Sequence, residues 1–361
     1  MRRKMSMEKN FITRRINEYK ELPPNEKKRY RREFLINNAL YIFLVIVIVG
    51  IAISRPRFLS TGSIVNIISL SAANLPIALG IAGAIILTGT DLSAGRAVGA
   101  CACVAASLLQ SSGYANKMFP QIGTVPVFWV ILIIIAIGAI IGLVNGFCTA
   151  KFNLHPFIVT LATQLIVYGG LLMYLTLGTN NGQSISGLDE SYTRLINGSI
   201  LSIGKSAVPN FVWYSIVITA LMWFVWNKTK FGKNMFAVGS NPDAAHVSGV
   251  NVDATIIAVF AIAGALYGVT GFIEGARIGS NSAATGLNYE LDAIAACVIG
   301  GVSFVGGIGK IRGVIMGVVL LRIIFVALTF LSVNQNLQYI IKGLIILIAC
   351  AIDMRKYLVR K

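Results

Sequence analysis

Charged side chains are scarce. Only 12% of the 361 residues are Asp, Glu, Lys or Arg, against 56% hydrophobic, where a soluble domain carries about 25% charged residues. That leaves too little polar surface to coat a globule, and the mean hydropathy of +0.75 agrees. Histidine is nearly absent, with His155 and His246 alone. No paired carboxylates or nucleophile–base grouping stand out, so the sequence offers no enzyme and no metal or cofactor set. The five cysteines, Cys101, Cys103, Cys148, Cys297 and Cys350, lie in apolar stretches without CxxC spacing and read as packing residues. A phosphate-binding loop is missing too. Gly204-Lys205-Ser206 ends like one, but position 199 is serine where the pattern needs glycine. The glycine-rich run 300–313 has no Gly-Lys-Ser/Thr. No cleavable signal peptide is visible, since the apolar run after the basic start has no small-residue cleavage site.

What the chain has in abundance is apolar runs. A bilayer core of about 30 Å needs about 20 apolar residues per helix, and only helices satisfy every backbone amide within one segment. Short alternating segments of the barrel kind are not seen. The expected fold is an all-α polytopic membrane protein of about ten transmembrane helices. They fall near 37–54, 64–89, 97–111, 125–150, 156–177, 209–226, 254–275, 291–306, 313–331 and 337–353. Residues 1–36 form a basic head, 37–355 the transmembrane domain with a loop at 227–253, and 356–361 a tail. The net charge of +17 follows topology rather than nucleic acid. With both termini cytoplasmic, twelve Lys and Arg in the head and eleven in other inside segments face six outside. The head reads as a solvated tail or as a surface helix on anionic lipid. Residues 178–208 read as a polar outside loop. GxxxG spacings at Gly95/Gly99, Gly138/Gly142/Gly146, Gly264/Gly268 and Gly313/Gly317 point to close helix packing within the bundle, or else a dimer seam.

Charges near span ends are costly and mark candidates. Asp91 and Ser93 in LTGTDLSAGR, and Glu290 and Asp292 in NYELDAIAA, line a polar pathway through broken helices or cap helix ends; for Glu290 and Asp292 capping is the simpler reading. Glu274 and Arg277 share this position. Arg322 and Lys342 fall within spans with no partner named by the sequence. Between two apolar spans lies a short polar helix. Asn241 caps it, Pro242 fits its first turn, and Asp243 suits the positive end of its dipole. Ala244, Ala245, His246, Val247 and Ser248 continue, and Gly249 stops it. Two turns are marginal alone in water. The helix either rests on the bundle or docks into a groove of a cytosolic partner.

The loop KTKFGKNMFAVGSNPDAAHVSGVNV, with LTGTDLSAGR before it and ELDAIAACVIGGVSFVGGIG after it, resembles the permeases of bacterial ribose/galactose/arabinose ABC importers over roughly residues 38–355. Thr90, Arg96, YANKMFP and EGARIGS look most like the galactose/methyl-galactoside branch. The resemblance implies a homodimeric permease of the cytoplasmic (inner) membrane that moves sugar by alternating access. A separate ABC ATPase hydrolyses ATP, and a periplasmic or lipid-anchored binding protein delivers the sugar. Asn241, Pro242, Asp243, Ala244, Ala245, Ser248 and Gly249 then couple to the ATPase, and Asp91, Ser93, Glu290 and Asp292 lie near the pathway. Ribose, another pentose or a nucleoside are alternative cargoes. An ion-coupled secondary transporter would need carboxylates deep within spans, and a receptor or scaffold would need no ATPase.

Overall fold

The computed structural model describes residues 39–358, together with positions 23, 26–28, 30 and 31. The predicted basic head and the last three tail residues otherwise lie outside the described residues. The chain divides into two units, Met1–Ser54 and Arg55–Lys361. The first holds helix α1, Ala39–Ser54, an unbroken apolar run.

The second unit is a helix bundle. Its long members are α2 (Thr61–Ile86), α3 (Ala94–Leu108), α4 (Val127–Lys151), α5 (Pro156–Leu175), α7 (Asn210–Lys228), α10 (Val252–Ile278), α12 (Ile311–Phe330) and α13 (Gln335–Leu358). Shorter are α6 (Glu190–Asn197), α8 (Lys230–Ser240), α9 (Pro242–Val247) and α11 (Tyr289–Ile299). A helix falls on each of the ten apolar runs. Six, α2, α4, α5, α7, α10 and α12, are both long and apolar enough to cross a bilayer. The surface is apolar while polar groups are interior. Trp129, Ile166, Met173 and Val217 are exposed, whereas Asp91, Asn145, Thr160 and Glu274 are fully buried. That inversion is what a lipid surrounding demands.

Helix α10 is the central rod, packed on α4, α3 and α2. The α4–α10 seam explains the glycine spacing. Gly138 meets Gly264, Gly142 meets the Phe260 backbone, and Gly146 meets Ile257. A side chain at 142 would run into the Phe260 carbonyl, so these glycines close a seam within the chain. Gly142→Val is expected to destabilise the detergent-solubilised protein by about 1–3 kcal/mol through overpacking, read as a lowered Tm. An unchanged Tm would refute the seam.

Pro76 interrupts α2. Proline cannot donate to the carbonyl four residues back, which leaves Ala72 O without its helical partner. The Ser215 hydroxyl of α7 donates to that oxygen at 2.7 Å. Neighbouring helices repair such breaks in membrane proteins in this way.

The expected polar loop 178–208 is in fact folded. Asp189 caps α6 by accepting from Ser191 N–H. The buried pair Tyr192 and Ile196, four residues apart, faces the bundle. The Tyr192 hydroxyl donates to Phe272 O at 2.5 Å, and Asn197 donates to Ala276 O at 2.8 Å. After α6, β1 (Ser199–Ile203) and β2 (Ser206–Pro209) form an antiparallel hairpin that turns at Gly204. The bundle is therefore helical apart from this one two-stranded sheet among the described residues.

Candidate functional site

The segment between α2 and α3 returns into the bundle. Ser93 N–H and Ser93 Oγ–H donate to Asp91 Oδ1 at 2.9 and 2.6 Å. Tyr267 Oη of α10 donates to Asp91 Oδ2 at 3.1 Å. Asn145 Nδ2 of α4 donates to Ser93 Oγ at 2.9 Å. The Thr160 hydroxyl of α5 donates to Thr90 O and accepts from Leu92 N–H, both at 3.1 Å. Three helices thus clasp a short non-helical turn. Asn145 lies six residues before the end of α4, so the clasp sits about 9 Å inside that end. Irregular backbone at such depth survives only when buried in protein or lining a cavity.

Ser93 stands at the start of α3 but makes no side-chain cap. Its hydroxyl is committed to Asp91, so capping by Ser93 is not what the structure shows. Asp91 has both oxygens engaged and no exposed surface; it pins the turn. Asp91→Ala leaves the Tyr267 and Ser93 donors without their acceptor. We expect a loss of about 1–3 kcal/mol, measured as reduced thermal stability, with Asp91→Asn milder. A wild-type Tm for Asp91→Ala would remove the pin.

The mirror feature is at α11. The turn-rich stretch after α10 runs antiparallel along α3. Cys103 Sγ lies 3.5 Å from Ser282 O, and Arg96 donates to Ala283 O at 2.9 Å. Gly99 meets the Thr285 backbone, and Gly95 meets Gly286 and Glu290. Gly286 has φ +78° and no room for a side chain against the Gly95 carbonyl, so only glycine suits it. From this crossing α3 and α11 leave in opposite directions. Helix α3 ends beside the loop holding Ser186 and Asp189. Helix α11 leads to Ser303, Gly306 and Gly307, which lie against Asp353, Gly239 and Ile86. Two broken helices therefore bring their N termini together inside the bundle, an arrangement that directs positive dipole ends at a transport pathway in other carriers.

Glu290 and Asp292 occupy the first turn of α11, where a negative charge is favoured. Glu290 packs against Gly95 and is buried. Asp292 accepts no capping hydrogen bond from the backbone; its partners are two cations. Arg322 of α12 lies 3.3 Å from its Oδ2, and Lys342 of α13 lies 2.5 Å from its Oδ1. The Lys342 contact is an ion pair outside hydrogen-bond geometry. Lys342 also sits 5.1 Å from the Phe325 ring centroid. The two charges left without partners by the sequence thus share one carboxylate. Glu274 holds Arg277 through two hydrogen bonds of 2.9 and 2.7 Å and accepts from Tyr289 at 3.0 Å.

At the opposite surface stands the short helix. Asn241 Oδ1 accepts from Ala244 N–H at 3.0 Å, Pro242 opens the first turn, and Gly249 stops it at φ +82°. Ala245 is only 4% exposed, because the helix lays that side on its own chain. The outward residue is Val247, 88% exposed. The loop also contains a helix that the sequence reading missed, α8. Its Gly239 packs against Ile86 O and Gly307, and its Phe236 ring lies edge-on to Trp226 at 6.0 Å. Apolar residues at 231, 235 and 238 gave the signal. Tyr267, Asn145 and Thr160 were missed as well, and nothing in their sequence surroundings marks them.

A family model described as branched-chain amino acid transport system / permease component matches residues 63–350. The galactose/methyl galactoside import permease protein MglC of Escherichia coli (strain K12) is 46% identical over 329 residues, covering 91% of this chain and 97% of that protein. MglC of Haemophilus influenzae is 46% identical over 331 residues, with the same coverage. The ribose import permease protein RbsC of Haemophilus influenzae is 32% identical over 320 residues, covering 89% of this chain and 94% of that protein. No solved structure matches the chain at a significant level. With four-fifths of its length matched by the model, this chain belongs to the family of branched-chain amino acid transport system permease components.

Proposed function

We propose that the chain is the membrane-spanning subunit of an ATP-driven sugar importer in the bacterial cytoplasmic membrane, carrying galactose or a methyl galactoside. The observation that carries this reading is the near full-length 46% identity to galactose/methyl galactoside import permeases. In this reading ten helices span the bilayer with both termini cytoplasmic, and two copies enclose the pathway. A binding protein delivers sugar at the face of α6 and the hairpin. A separate ATPase grips α9 through Pro242, Asp243, Ala244, His246 and Val247, while Asn241 and Gly249 hold that helix in shape. Helix α8, seated on the α2 end through Gly239, carries its motion to the turn around Asp91. Asp91, Ser93, Glu290 and Asp292 set the shape of the pathway rather than contact sugar. A neutral sugar needs no charged pocket, and the carboxylates placed here are engaged by neighbours or packed within the chain.

Ribose is the second reading, supported by the weaker identity to ribose permeases. The test is reconstitution with the cognate ATPase and binding protein in vesicles. Galactose should stimulate ATP hydrolysis and accumulate inside; stimulation by ribose alone would overturn the cargo. Uptake driven by an ion gradient without ATP would overturn the class.

A further inference from the structure

At the end of the bundle that carries α8 and α9, a cavity of about 240 Å³ opens between α7, α8 and the start of α12. It is lined by Trp223, Trp226, Asn227, Phe236, Lys310 and Arg312. Lys228 extends over the Trp223 ring, 5.9 Å from its centroid. None of Lys228, Lys310 and Arg312 forms an ion pair among the described residues, and the lining holds no carboxylate. Trp223 is half-exposed and continues the outward apolar face of α7 formed by Ile216, Val217, Leu221 and Phe224. Above the cavity, then, lies an apolar track; its lining includes two indoles and two cations, Lys310 and Arg312, with no ion-pair partner among the described residues. Tryptophan marks the level where a bilayer meets water, and basic pockets between helices at that level suit anionic headgroups.

We propose that this cavity binds the headgroup of an anionic phospholipid. The phosphate lies between Lys310 and Arg312, the glycerol backbone against Trp223 and Trp226, and the acyl chains along α7. A free phosphate would use the cations but not the track. A neutral lipid would use the track but leave the cations unpaired. Assigning the site to the cytoplasmic leaflet rests on the orientation proposed above; the lipid site itself does not.

The test is native mass spectrometry of the full chain in detergent with phosphatidylglycerol, phosphatidylcholine or inorganic phosphate. Two cations near an anionic headgroup should give on the order of tenfold preference for phosphatidylglycerol over phosphatidylcholine. The double variant Lys310→Gln, Arg312→Gln should lose that preference. A second measurement guards against misfolding of the variant. Of four tryptophans, Trp129 and Trp213 are replaced by phenylalanine, which leaves Trp223 and Trp226 to report. Brominated phosphatidylglycerol in vesicles should quench them more strongly than brominated phosphatidylcholine. Equal retention and equal quenching by the two lipids would overturn the proposal. So would displacement of the lipid by millimolar phosphate, which would mark a free-anion site, or by the docked ATPase, which would mark a protein surface.

Discussion

Asp292→Ala is expected to cost the folded chain about 3–5 kcal/mol, because removing one partner of a buried ion pair leaves its counter-charge uncompensated. Here two cations are left. The side chains of Arg322, Lys342 and Asp292 are 14%, 15% and 9% exposed, so water screens them little. The three belong to α12, α13 and α11, and their attraction fixes how two long helices meet the short one. The readouts are the yield of folded protein after solubilisation and its Tm. Asp292→Asn should be nearly as damaging, since it keeps the volume and loses the charge; that result separates charge from packing. Replacing all three by apolar residues of similar size should recover most of the stability, because a buried ionic cluster carries a large desolvation cost of its own. A wild-type Tm for Asp292→Ala would show that both cations reach water by snorkelling.

Val247→Asp is expected to lower uptake at least tenfold while leaving the chain folded and in the membrane. The residue is 88% exposed on α9, so its replacement disturbs no contact within the chain. In the proposed function, the ATPase covers this apolar side chain. A charge there loses the apolar contact and must also be desolvated, together more than the roughly 1.4 kcal/mol that a tenfold loss of affinity requires. Ala244→Arg should act alike, and both should reduce co-purification of the ATPase. Ala245→Arg serves as a contrast. Position 245 is buried in this chain, so that change should lower Tm first. Asn241→Ala removes a cap worth about 1 kcal/mol and should be milder than any of these. Normal uptake and normal co-purification for Val247→Asp would remove α9 from the ATPase contact.

These contrasts show where sequence reading succeeds and where it stops. The ten apolar runs were legible as helices because apolar composition is recorded residue by residue and backbone hydrogen bonding fixes the form, and six of those helices are long and apolar enough to cross a bilayer. The capped helix 242–247 was legible because Asn241, Pro242 and Gly249 act within one or two turns. The glycine spacings forecast close packing, since a missing side chain is recorded in the sequence itself. Local rules could also have found α6, which carries Asp189 at its start and Gly198 after its end, but its polar surroundings concealed it.

The sequence by itself determined a greasy many-helix bundle, the places where its helices break, and the small helix that stands out from it. Only the tertiary structure decided the partners. Asp292 meets Arg322 and Lys342 across 30 and 50 residues of chain, Tyr267 reaches Asp91 across 176, and Gly95 rests against Gly286 where two broken helices cross. Backbone geometry and bilayer thickness act over a few neighbouring residues, so the sequence records them directly. Pairings between distant charges are set by how helices pack, and helix packing depends on the whole chain at once.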